Sequence, residues 1–150
     1  MSNISNILVP VDFSSCSRSA LNYALSLAWE LSAKVQVLHV TDLPRFRTEP
    51  RIASEGGSVT LREYALSEAQ AELAAFLEPL EAAQRQRLTT TVDVGSPRET
   101  ILGHAKRERC DLIVMGTHGR TGRVHALAGS VAESVVRSSP CPVLTVRDAG

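Results

Sequence analysis

Residues 111–133 read DLIVMGTHGRTGRVHALAGSVAE and combine a strand signal, a glycine-rich segment and the start of a helix. The apolar run DLIVM is typical of a strand that is buried on both faces. Gly116, Gly119 and Gly122 follow it directly, and a Gly-Ser pair at 129–130 precedes an amphipathic stretch. A connection that only had to turn would need about four or five residues. This segment is therefore expected to surround a ligand.

Strand and helix signals alternate along the rest of the chain. Strand patterns cover residues 6–11, 34–40, 88–94, 111–115 and 141–146, and helical spacing of apolar residues covers 17–33, 61–87, 97–109 and 131–137. Pro79 is expected to kink or split the second helix. Because parallel strands need long crossovers, the alternation predicts an α/β fold over residues 1–150, as one domain with a parallel sheet and helices on both faces.

The stretch from Thr41 to Thr60 interrupts this alternation. It carries Pro44, Pro50 and the pair Gly56–Gly57 among charged residues. We expect residues 41–60 to form the longest loop of the domain and to be mobile.

Composition limits the classes of function. Sixteen basic residues balance sixteen acidic ones, so no net charge attracts nucleic acid or an anionic membrane. No apolar run approaches the roughly 20 residues that span a bilayer, and the first residues lack a charged signal-peptide region. Cys16, Cys110 and Cys141 form an odd set without CxxC spacing. These features predict a soluble cytoplasmic protein without nucleic-acid or membrane partners.

Candidate chemistry lies after the first and fourth strands. Ligands of open parallel sheets bind beyond the carboxyl ends of the strands, where Asp12 and the glycine-rich segment are expected to meet. Gly116 and Gly119 would allow close backbone approach and positive φ. Gly129 and Ser130 begin the last helix, whose N–H groups and dipole favour an anion. The arrangement predicts a phosphate chain between the glycines and that helix.

The spacing Gly-x2-Gly-x9-Gly-Ser differs from the Walker A loop and from the Gly-x-Gly-x-x-Gly fingerprint. Together with ILVPVDFS at 7–14 and CPVLTVR at 141–147, it resembles the ATP-binding branch of the universal stress protein family. The resemblance covers essentially the whole chain. It implies a doubly wound domain of five parallel strands in the order 3-2-1-4-5.

The resemblance also implies which residues would hold the base and the sugar of ATP. Pro10 and Val11 would line the adenine pocket, and the backbone of Val40 would pair with the adenine edge. The Asp12 carboxylate would bind the ribose hydroxyls, with Met115 packed against the ribose.

The remaining family positions would hold the ribose and the phosphates. Gly116 would help to hold the ribose from the side opposite the carboxylate. Gly119, Gly129, Ser130 and Val131 would bind the phosphates, mostly through backbone N–H groups, together with a magnesium ion.

A homodimer is a further implication of the resemblance. The apolar strand Cys141–Val146 would lie at the edge of the sheet, and an exposed edge strand invites pairing. In the family this strand pairs antiparallel with its copy in a second chain. The sequence identifies no regulatory protein partner.

Three functions stay open at this point. The first is an ATP-binding stress-response regulator, which agrees with the absence of a recognisable base or Walker lysine beside the phosphates. The second is a slow ATPase or an autophosphorylating protein, in which His118 would act, although a solvated loop position is the simpler interpretation. The third is a scaffold that binds no nucleotide, in which the glycine-rich segment would be structural. Separately, Asp12 could be the cap of the first helix, a role that is compatible with nucleotide binding.

Overall fold

The computed structural model describes residues 3–118 and 130–148 of the chain. The strands in these two ranges are β1 (Asn6–Pro10), β2 (Lys34–Thr41), β3 (Arg51–Ser54), β4 (Gly57–Thr60), β5 (Leu88–Val94), β6 (Leu112–Gly116) and β7 (Val143–Val146). The helices are α1 (Ser15–Leu31), α2 (Leu61–Leu77), α3 (Ala82–Arg85), α4 (Pro97–Arg107) and α5 (Ser130–Ser138). Within the same ranges, no helix has both the length and the apolar character needed to cross a bilayer.

Five of the strands form one parallel sheet in the order β5-β2-β1-β6-β7. Counted along the chain without the separate β3–β4 pair, this order is 3-2-1-4-5, which confirms the expected doubly wound topology. The central strands β1 and β6 are the two continuous apolar runs. A central parallel strand needs such a run because helices cover both faces of the sheet.

Side chains that alternate along β1 divide the core into two layers. Ile7 and Val9 belong to the cluster that packs against α1 and α2, and both are fully buried. Leu8 belongs to the cluster on the opposite face, which packs against α4 and α5. The period-2 alternation of a strand thus supplies both faces from one short segment.

The helix ends follow the local sequence. Ser14 caps α1 by accepting a hydrogen bond from the N–H of Ser17. The helical pattern predicted over 61–87 is split, because α2 ends at Leu77 and α3 begins after Pro79, as a proline without an N–H requires. Pro97 opens α4 at the first helical turn, where the missing N–H costs nothing.

Residues 51–60 are not the loop that the sequence predicted. They form the antiparallel hairpin β3–β4, in which Ile52 pairs with Val59 and the Arg51 side chain donates to the Ser58 hydroxyl at 2.9 Å. Gly57 has φ +124°, a conformation that a residue with a side chain rarely adopts. Glu55 and Gly56 thus form a tight turn between two strands too short to show alternation, and Gly57 begins the second of these strands. Mobility of 41–60 stays a prediction.

Polar groups close the amino edge of the sheet. The Asp111 carboxylate accepts hydrogen bonds from the N–H groups of Ser5 and Asn6, both at 2.9 Å. Backbone donation from Ser5 is the main reason why the pKa of Asp111 lies below its ordinary value. The Asn6 amide nitrogen donates to the carbonyl of Glu108 at 2.9 Å, which fixes the orientation of that amide.

The same edge contains a buried histidine with a defined tautomer. The Gln36 amide nitrogen donates to Asn6 Oδ1 at 2.7 Å. Gln36 Oε1 therefore faces His104 Nε2 at 2.8 Å and accepts a hydrogen bond from its N–H. Arg107 donates to His104 Nδ1 at 3.3 Å. Burial, assisted by the Arg107 cation, lowers the pKa of His104. Because Arg107 can only donate, Nδ1 accepts, and the hydrogen bond to Gln36 places a proton on Nε2.

Candidate functional site

The carboxyl ends of β1, β2 and β6 border a cavity of about 300 Å³, and the first turns of α4 and α5 complete its walls. This is where a doubly wound sheet is expected to bind a ligand. Eight of the ten residues predicted for the nucleotide line this cavity: Pro10, Val11, Asp12, Val40, Met115, Gly116, Ser130 and Val131. Gly119 and Gly129, the other two, lie outside the described residues.

Asp12 follows β1 and faces the cavity. Its Oδ1 accepts from the Ser14 N–H at 3.0 Å and from the Ser14 hydroxyl at 2.5 Å. Because Ser14 is the cap of α1, the interpretation of Asp12 as the helix cap is wrong. Asp12 instead binds the capping residue, and these two hydrogen bonds fix the direction of its carboxylate.

Gly116 ends β6 at the cavity, but it does not have the positive φ that the sequence analysis allowed for. It is not among the described glycines with positive φ, which are limited to Gly57. A Cβ at this position would lie 2.9 Å from Cys16 Sγ and 3.0 Å from the Cys16 carbonyl carbon. Glycine is therefore required by the close approach of α1 to β6, which brings the start of α1 to the cavity.

The start of α5 supplies the other side of the site. Ser130 is the first residue of the helix and lines the cavity together with Val131. The first N–H groups of a helix have no acceptor within the helix, and the dipole makes this end positive. The cavity thus has a carboxylate on one wall and a group that favours anions on another.

Several cavity residues escaped the sequence analysis. Apolar side chains of Leu38, Pro97 and Ile101 form walls of the cavity. Pro97 and Ile101 begin the helix that follows the third strand of the sheet, so extending the search from the first and fourth strands to the third would have found them.

His118 also lines the cavity and is half-buried in its wall. Its Nδ1 lies 2.9 Å from the hydroxyl of Thr117, which is buried. Thr117 Oγ1 is in turn 3.7 Å from Cys16 Sγ, and that thiol donates to the Val146 carbonyl at 3.2 Å. A chain of polar groups therefore connects the cavity to the end of β7.

Residues 3–147 match the model of the universal stress protein family. The chain belongs to this family. A relative from Methanocaldococcus jannaschii, the universal stress protein MJ0531, is 34% identical over 141 residues, which cover 94% of this chain and 81% of the relative.

Two solved structures of other universal stress proteins are similar to this chain. Universal stress protein UspA from Lactobacillus plantarum superposes with a TM-score of 0.72 at 29% identity, covering 98% of this chain and 100% of the other. A universal stress protein from Archaeoglobus fulgidus, in complex with dAMP, gives a TM-score of 0.64 at 20% identity, covering 97% and 99%. The second likeness establishes the shared fold.

Proposed function

We propose that this universal stress protein is a stress-response regulator that binds ATP in the cavity at the carboxyl edge of its sheet. The observation that carries the proposal is the convergence of the Asp12 carboxylate and the first turn of α5 on one cavity of about 300 Å³. A nucleotide needs an apolar pocket for its base, an acceptor for its ribose and donors for its phosphates, and the described lining offers all three.

The base and the sugar would lie against β1, β2 and β6. Pro10, Val11 and the apolar wall from α4 would enclose adenine, with the backbone of Val40 along its edge. The Asp12 carboxylate would accept hydrogen bonds from the ribose hydroxyls, while Met115 and Gly116 would contact the sugar.

The phosphates would lie at the start of α5. Backbone N–H groups of Ser130 and Val131 would donate to phosphate oxygens, together with the predicted ligands Gly119 and Gly129. Residues 3–118 and 130–148 contain no cluster of three His, Cys, Asp or Glu side chains that could hold a metal. Phosphate oxygens would therefore be the main ligands of a magnesium ion, which would offset phosphate charge. The dAMP complex of the Archaeoglobus protein supports an adenine nucleotide as the ligand class.

Titration calorimetry with ATP tests the proposal, alongside mass analysis of any small molecule that co-purifies with the chain. We expect saturable binding by the wild type and at least about tenfold weaker binding by Asp12→Ala, since hydrogen bonds to a charged group are lost. Absence of heat, with no nucleotide in the purified protein, would contradict the proposal and favour the scaffold function.

A slow ATPase or autophosphorylating activity is the second candidate, supported by the place of His118 in the cavity wall. Turnover above the rate in buffer, lost in His118→Ala with ATP binding intact, would favour this candidate. Binding without turnover would favour the regulatory function alone.

We propose in addition that two chains pair through the edge strand β7. The carbonyls of Pro142 and Val146 accept from the N–H groups of Ile113 and Thr117 on the β6 side, at 3.0 Å each. In a parallel ladder, successive residues direct their backbone groups alternately to one side and to the other. Because Val146 faces β6, the N–H of Thr145 faces away from the sheet. Thr145→Pro should therefore convert a dimer to a monomer in sedimentation analysis while keeping the β6–β7 ladder. A wild-type monomer would contradict this proposal.

A further inference from the structure

His39 lies in β2 between two residues that line the cavity, Leu38 and Val40. Those neighbours pack with the core layer of α4 and α5, so the His39 side chain points to the opposite face of the sheet. The residue is half-buried there and is not part of the cavity lining. Any effect of His39 on a ligand must therefore pass through other residues.

The first contact of His39 is with the backbone before Asp12. His39 Nδ1 lies 2.8 Å from the Val11 carbonyl oxygen. A carbonyl oxygen can only accept, so Nδ1 carries the proton and donates. The N–H of Val11 donates to the carbonyl of Leu38 at 2.8 Å. Both polar groups of the Val11 backbone are thus held by consecutive residues of β2.

The second contact is with the residue after Asp12. The rings of His39 and Phe13 are stacked, with centroids 4.2 Å apart and an interplanar angle of 27°. Phe13 has φ +67°, the left-handed region that a bulky side chain rarely adopts. Its ring also lies 5.6 Å from that of Phe76 in α2. Stacking therefore helps to hold an unfavourable backbone conformation next to the cavity.

The His39 imidazole therefore holds both the residue before Asp12 and the residue after it. The left-handed turn at Phe13 also precedes Ser14, whose N–H and hydroxyl bind Asp12 Oδ1. We propose that His39 is a positioning residue of the nucleotide site, which holds the Asp12 carboxylate in the direction that ribose hydroxyls require. This inference rests on the proposed nucleotide function and deepens it.

The preference for a ligand with ribose hydroxyls distinguishes a positioning role of His39 from a role in stabilising the fold. The measurement is the ratio of the dissociation constants of 2′,3′-dideoxy-ATP and ATP, determined by titration calorimetry. A ligand without ribose hydroxyls gains nothing from an aligned Asp12, whereas a general loss of structure would weaken both ligands alike. We expect the wild type to prefer ATP by about tenfold or more, and His39→Leu to reduce that preference by about fivefold, the size of one lost hydrogen bond.

Four further variants make the test specific. His39→Asn keeps an amide donor for Val11, and His39→Phe keeps a ring for Phe13, so each should retain part of the preference. In an Asp12→Ala background, His39→Leu should leave the ratio unchanged, because the residue through which it acts is gone. His104→Leu is the matched control: it removes a buried imidazole at the other edge of the sheet and should leave the ratio at the wild-type value.

The outcomes distinguish this inference from the function on which it rests. A wild type that binds no ATP refutes both. A wild type that binds ATP, with an unchanged preference in folded His39→Leu, His39→Asn and His39→Phe, refutes the inference alone. An equal loss of preference in His104→Leu, or an undiminished effect of His39→Leu beside Asp12→Ala, would also overturn it.

Discussion

The two edges of the parallel sheet use polar residues in different ways. At the amino edge, Asn6, Gln36 and His104 form a continuous chain in which each donor meets an acceptor. At the carboxyl edge, the Asp12 carboxylate and the first turn of α5 face a cavity of about 300 Å³. Polar groups that are satisfied by one another stabilise a fold, whereas polar groups arranged around a space are suited to a ligand.

We therefore expect substitutions at the two edges to affect different properties. Changes at the amino edge should alter the free energy of unfolding, and changes at the carboxyl edge should alter ligand affinity with little effect on stability.

The largest effect is expected at the start of α5. Ser130→Asp places a carboxylate where the proposed phosphates lie, so ATP should bind about a hundredfold more weakly because like charges repel. The same carboxylate interacts favourably with the helix dipole, so stability should be unchanged or raised by about 0.5 kcal/mol. Calorimetry and urea denaturation measure the two effects. Ser130→Asn is the neutral control, and equal affinity of the two variants would contradict the proposed phosphate position.

Gly116 is an exception among the residues of the carboxyl edge, because a change there should alter stability. It borders the cavity, but it has to be glycine because α1 packs closely against it. Gly116→Ala should lower the free energy of unfolding by about 1–3 kcal/mol, since the new Cβ would lie 3.0 Å from the Cys16 carbonyl carbon. Gly103→Ala in α4 is the matched control: its Cβ would meet nothing within 4 Å, and helix propensity predicts a gain of about 0.5–1 kcal/mol. Similar changes in the two variants would refute the packing explanation.

The smallest effect concerns pH at the amino edge. An unfolded histidine titrates near pH 6.5, and burial beside Arg107 lowers the pKa of His104 in the folded chain, against weaker opposing effects of Glu108 and Asp93. The unfolded chain therefore takes up the proton first, and stability should fall as the pH drops below about 6.5 towards the folded pKa. Urea denaturation at pH 7.5 and 5.5 measures this loss. His104→Gln should lose less stability over that range, and an equal loss would rule out His104 as the source.

Much of the fold could be predicted from local patterns. The continuous apolar runs placed β1 and β6, and proline at 97 marked the start of α4. The strand order came from the family resemblance, because alternation of strands and helices does not determine which strands are neighbours. The β3–β4 hairpin was missed because each strand has four residues, too few for alternation to stand out.

The position of a residue at the cavity was predictable where its place next to a strand or helix end is visible in the sequence. Asp12 follows the first strand, and Ser130 begins the last helix. Both positions are visible in the sequence. The structural need for glycine at 116 depends on the distance to Cys16, and the left-handed turn at Phe13 depends on aromatic partners from other elements. Such contacts join residues far apart in the chain, so no local pattern contains them.

The β3–β4 hairpin lies outside the five-stranded sheet and packs against α2. At its turn, a side-chain atom added to Gly56 would meet nothing within 4 Å. A short epitope or a fluorophore-bearing peptide inserted after Gly56 would therefore extend into solvent and leave both core layers intact. The hairpin offers a place to label the chain inside living cells.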